Sequence, residues 1–257
     1  MLEKYLTYDK FVPPVEYRNG VNPQDPRVLK HMAEIEKVPD QIQRLIADKG
    51  GYIVFFNGPL TEQPEMQHCK GQQTPNWPDG TTWDAMIGCY NDKIVFLGID
   101  GNYIGYRDIS IHEYGNISLH EYGHSIDEVI GQMIFGMPLS LTPIAEKILK
   151  ENKKLREFYK GIPEEFIAFA VNEFYQSPYK RDSLIDYSLD SARLIKGIEE
   201  WAVQYELSED KPDFSLAKNV KKSSNPIEVI FAGRIIKRRL KNFIIEEVRE
   251  IDWVVEE

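Results

Sequence analysis

Cysteine is scarce in these 257 residues: Cys69 and Cys89 are the only two. Two are too few for a disulfide-dense scaffold or for a zinc ribbon built from thiolates. The pair can bridge in an oxidising compartment or stay as two small buried thiols, and the sequence leaves both readings open. Long apolar runs are missing too. No stretch approaches the ~18 apolar residues that a membrane-crossing helix needs, so no membrane span is expected. The opening segment, MLEKYLTYDKFVPPVEYRNG, has no apolar h-region, so no secretory signal peptide is read here and the default location is the cytoplasm. Positive charge is in short supply: 31 Lys and Arg against 41 Asp and Glu give a net charge of −10. A surface of that sign repels phosphate backbones, so nucleic acid is not an expected partner. Repeats and low-complexity tracts are absent as well.

What is present suits a packed core, since 12% of the residues are aromatic and disordered chains are poor in them. Residues 1–26 are polar and proline-bearing and read as an irregular arm. From residue 27 to 49, Val28, Leu29, Met32, Ile35, Val38, Ile42 and Leu45 recur at three- and four-residue steps, a helix broken near Pro39. Gly50-Gly51 ends it, and residues 52–56 and 94–99 read as buried strands. Between them, residues 57–82 form a long loop rich in Pro, Gly, Asn and Gln. Loops of that length in compact domains are often functional. Helical patterns then occupy 117–135, 143–159, 163–176 and 189–204. The fold class is therefore α+β, with a small sheet in the first half, a helical second half and a main domain over 27–205. Residues 206–257 read as a linker and a C-terminal amphipathic helix. Its Arg234, Lys237, Arg238, Arg239 and Lys241 face outward on a helix packed against its own domain, in preference to an anionic surface.

The sharpest motif is His120-Glu121-Tyr122-Gly123-His124. Residues four apart share a helix face, so both imidazoles can reach one metal ion, and Glu121 projects beside it as a general base. Leu119, Tyr122, Ile126, Ile130 and Met133 form an apolar stripe about a quarter-turn away, which leaves the histidines off the main core face. Ser118 and Glu121 also match a capping box, but Asn116 is an equally good earlier cap that would free Glu121. An upstream echo, His112 to Asn116, lacks the second histidine and is taken as coincidence. A catalytic zinc needs a third protein ligand. His31, His68 and His112 are candidates; Glu165 and its neighbour Glu164, opening an apolar helix after Pro163, are better ones. Acids at a helix start are also favoured by the dipole alone, so the residues by themselves leave this open.

HEYGHSIDE followed by EEFIAFAVNEFY resembles the catalytic domain of anthrax lethal factor and the related bacterial Pro-Pro endopeptidases. Asn76-Trp77-x-x-Gly80-Thr-Thr-Trp-Asp84 resembles that family's G-W-x-G-T-G-x-T-W-D segment. The likeness spans about residues 50–200. It implies a secreted, toxin-related bacterial metallopeptidase of zincin-like fold that hydrolyses peptide bonds in a protein or peptide substrate. It further implies one zinc held by His120, His124 and Glu165, Glu121 as base, Tyr159 supporting the oxyanion or leaving amine, and Trp77 walling the substrate cleft. Three positions depart or stand alone. Tyr159 lies six residues before Glu165 where the pattern has seven, a place taken by Phe158. Phe169 replaces a second Glu of the pattern, and Ala85-Met-Ile-Gly88 replaces Asp-x-Pro-Gly. Asp127 does match, and reads equally as an acceptor for a ligand imidazole or as a solvated helix acid. The competing reading is a non-catalytic zinc-binding or toxin-accessory module that keeps the fold.

Overall fold

A computed structural model describes residues 10–74, 80–100, 116–152 and 162–207. Its frame is a sheet of four strands: β1 (Val15–Tyr17), β2 (Tyr52–Phe56), β3 (Gly88–Asn91) and β4 (Ile94–Gly98). The order is β1-β2-β4-β3, with β1, β2 and β4 parallel and β3 antiparallel to β4 at the edge. The two inner strands are near-continuous apolar runs because both faces of the sheet are covered. Ile53, Phe55, Val95 and Leu97 face the main core, whereas Val54, Phe56, Ile94 and Phe96 face a second cluster with Leu60, Met66, Cys69 and Cys89. Both cysteines are free and buried there.

Two strands were not expected. Val15–Tyr17 fall in the stretch read as an irregular arm, yet they pair with β2. Three residues with little alternation carry too weak a pattern to be seen in sequence. β3 is equally short, and it is fixed by a two-residue turn in which Asp92 (φ 44°) and Lys93 (φ 69°) are both left-handed. That turn twists with the strands it joins, which is why it closes the β3–β4 hairpin. The loop 57–82 holds two 3₁₀ turns, Leu60–Glu62 and Pro64–Cys69, and a bridge between Gln73 and Thr82.

Helices α1 (Pro26–Ile35) and α2 (Asp40–Asp48) flank the expected break at Pro39. The Asp25 side chain caps α1 by accepting from the Arg27 N–H at 2.8 Å. Helix α3 (Ile117–Ser125) runs through a π-helical turn (Ile126–Ile130) into α4 (Gly131–Phe135), which ends at left-handed Gly136. The predicted stripe from Leu119 to Met133 is buried. Next come α5 (Pro143–Glu151), α6 (Pro163–Gln176) and α7 (Pro178–Leu207), the last kinked at Ser188. The sequence reading found α7 only from residue 189, because its first turns, PYKRDSLIDY, are polar and weakly periodic. A small sheet confined to the first half, with α1 and α2 between β1 and β2 and the other helices after β4, makes an α+β fold. No helix among the described residues is long and apolar enough to cross a membrane. The linker and C-terminal amphipathic helix expected after residue 207 lie outside the described residues.

Candidate metal centre

The centre is built where α3 crosses α6. Asn116 caps α3: its side chain accepts from the Ser118 and Leu119 N–H groups at 3.0 and 3.4 Å. The Ser118 hydroxyl is engaged elsewhere, 2.6 Å from His31 Nδ1, so no capping box forms and Glu121 is released from that duty. From α6, Asn172 accepts the Asn116 N–H at 3.2 Å and so ties the start of one helix to the middle of the other. The crossing depends on Gly123. A β-carbon there would lie 2.7 Å from Ala168 Cα and 2.9 Å from its carbonyl oxygen. Only glycine lets the backbones approach so closely. Ala168 sits one turn beyond Glu165, so this contact brings the Glu165 carboxylate onto the face carrying both histidines.

Glu165 Oε2 is 3.2 Å from His120 Nε2, and its Oε1 is 3.7 Å from His124 Nε2. The two imidazoles meet edge to face, at 89° with centroids 5.0 Å apart. One donor atom from each of the three residues can be chosen so that all lie within 4.8 Å of one another. Around a tetrahedral ion with bonds of about 2.0–2.2 Å, neighbouring donors stand about 3.3–3.6 Å apart. The set therefore fits such an ion. The other candidates do not join it among the described residues: His31 bonds Ser118, and His68 and Glu164 are exposed. His112 lies outside the described residues.

Glu121 is buried beside this trio, its Cγ against β3 where a β-carbon on Gly88 would come within 3.2 Å. Burial raises its carboxyl to about 7, and the Glu165 charge adds to this, while His120 and the Tyr90 backbone N–H pull the other way. A carboxylate titrating near neutrality suits proton transfer. Burial works against a charged His120, yet the hydrogen bond it donates to Glu165 and the nearby carboxylates hold it above its ordinary value. Burial also acts to raise Glu165, but His120 and His124 outweigh it and keep the carboxylate low. His124 is pushed down to about 4, first by burial and then by His120. An anionic Glu165 and a neutral His124 are the protonation states metal ligands need.

Asp127 corrects an expectation. It does not orient a ligand imidazole; it is buried and accepts from the Ser140 N–H and hydroxyl, both at 2.7 Å, which pins the segment after α4. Asp127 lies inside the π-helical turn Ile126–Ile130, whose wider winding shifts the phase of this face, so the spacing alone misplaces it. Phe169 packs near Tyr187, ring centroids 6.5 Å apart. Asp84 accepts from the Thr61 hydroxyl and, at 2.7 Å, from the Gly71 N–H, which fastens the 57–82 loop. Tyr159 and Trp77 lie outside the described residues.

Residues 13–195 match the family described as anthrax toxin lethal factor, N- and C-terminal domain. The chain belongs to that family. A Pro-Pro endopeptidase of Paenibacillus alvei is 28% identical over 163 residues, covering 59% of this chain and 68% of the relative. A solved structure of a Pro-Pro endopeptidase from the same organism matches with a TM-score of 0.57 at 22% identity, over 71% of this chain and 95% of that one. This second likeness speaks to the fold. The lethal factor match begins at residue 13, ahead of β1 and well before the region where the motifs first show the resemblance. Within this lethal factor domain, sequence reasoning missed the place of Gly88 against Glu121, and Tyr90 and Asn172 altogether. No signal marked the first two because β3 itself was not seen, and Asn172 looked like one polar residue in an apolar helix.

Proposed function

We propose that this chain is a zinc-dependent endopeptidase with a zincin-like catalytic unit. The observation that carries the reading is the convergence of His120, His124 and Glu165 donors within 4.8 Å, next to a buried Glu121. His120, His124 and Glu165 would hold one zinc, and the bound ion would supply positive charge to the scissile carbonyl and make water more acidic. Glu121 then takes a proton from the attacking water onto its carboxylate and hands it to the leaving nitrogen. Its burial keeps competing water away and holds its affinity for a proton near neutral. Tyr159 is assigned to support the oxyanion or leaving amine, and Trp77 to wall the cleft, both on the family resemblance. The substrate is a peptide or protein. The name of the Paenibacillus alvei relative makes peptides with paired prolines the first to assay.

Elemental analysis of wild type, His124→Ala and Glu165→Ala tests the ligands: about one zinc per chain is expected in the wild type and a sharp loss in both variants. Zinc that survives Glu165→Ala would move the third ligand elsewhere. Peptide turnover should vanish with a chelator and with Glu121→Ala, the latter with zinc still bound. Stoichiometric zinc without turnover of any library peptide would favour the non-catalytic module.

A further inference from the structure

Tyr90 stands beside the centre. It belongs to the edge strand β3, where pairing with Val95 of β4 fixes its backbone. Its ring lies against His124, with centroids 6.3 Å apart and planes inclined by 25°. The Tyr90 hydroxyl is turned inward and buried. Two residues back on the same strand, Gly88 faces the Glu121 side chain. Tyr90 thus meets a candidate ligand through its ring, and it offers the metal no donor of its own.

We propose that Tyr90 is a positioning residue, whose flat ring holds the His124 imidazole in the orientation that the metal requires. The inference rests on the metal-centre reading above. An imidazole free to turn presents its Nε2 in the right direction for only part of the time, so a packed aromatic neighbour slows ligand loss. Groups that orient metal ligands typically change affinity by about 10–100-fold when removed.

The test is the rate at which zinc leaves the folded, loaded protein to a coloured chelator, in wild type, Tyr90→Phe, Tyr90→Leu and Tyr90→Met. The melting temperature of each metal-free form and the visible spectrum of each cobalt-loaded form are read alongside. Tyr90→Phe keeps the ring and should release zinc within about 3-fold of wild type. Tyr90→Leu and Tyr90→Met keep most of the bulk but not the flat face. They should release zinc about 10–100-fold faster and alter the cobalt band, and Met stands in if Leu does not fold. A lower metal-free melting temperature with an unchanged zinc release rate would make Tyr90 a packing residue only and overturn the proposal. A wild type that takes up no zinc would instead sink the metal-centre reading beneath it.

Discussion

His31 and Asp127 are ionisable groups turned away from water around the same helix, and they pull the pH dependence of stability in opposite directions. His31 is depressed to about 4, by burial first and the Lys30 charge second, from an ordinary 6.5. The unfolded chain therefore binds that proton more readily. The contribution is whole above pH 6.5 and is lost as pH falls through 4. Asp127 is raised to about 6 from 3.8, by burial against the opposing Ser140 bonds. Here the folded chain binds the proton more readily, so the contribution is whole below pH 3.8 and is lost as pH rises through 6. Urea midpoints at pH 4.5 and 7.5 check both. His31→Gln should lose less stability than wild type on acidification, by on the order of 2 kcal/mol. Asp127→Asn, which can still accept the Ser140 N–H, should gain on wild type as pH rises over the same range. Asp127→Ala should cost about 1–3 kcal/mol at either pH, because it strands a buried donor.

At the scale of elements, the α3–α6 crossing is the joint on which the centre depends. Gly123→Ala would drive a methyl into the Ala168 backbone, which has no flexible end to yield. The helices must part, at about 1–3 kcal/mol, and Glu165 moves away from the histidines with them. Titration with zinc should show a weakened site while circular dichroism keeps its helical signal; unchanged affinity would mean that the crossing tolerates the methyl. Elements with strong punctuation were legible in the sequence. Pro163 and the apolar run behind it located α6, and Pro39 located the break between α1 and α2. Elements defined by their partners were not legible: β1 and β3 are short and weakly patterned, and they exist because β2 and β4 offer edges to pair with. The same holds for side chains. The histidine pair is visible because four-residue spacing is local, whereas the contact of Tyr90 with His124 depends on a hairpin that spacing does not reveal.

For the whole molecule, binding of a metal by the folded chain alone adds to stability in proportion to the logarithm of free metal over its dissociation constant. Removing zinc from the wild type should therefore lower its melting temperature, and at metal concentrations about a hundredfold above Kd the loss is about 2.7 kcal/mol. Glu165→Ala should show a much smaller difference between metal-loaded and metal-free forms in the same scan; an equal difference would place the stabilising metal elsewhere. The acidic balance of the chain, −10 overall, favours retention of divalent cations near the surface over binding of polyanions.

The dependence of the crossing on Gly123 also makes the third donor conditional on the docking of α6 against α3. While α6 is undocked, α3 offers only two imidazoles, a loose grip on any cation. The full set of donors comes into being in the step that seats Ala168 on Gly123. Capture of an ion by all three donors would therefore report that the two helices have docked. A chain in which they have not docked would present the two histidines without their carboxylate.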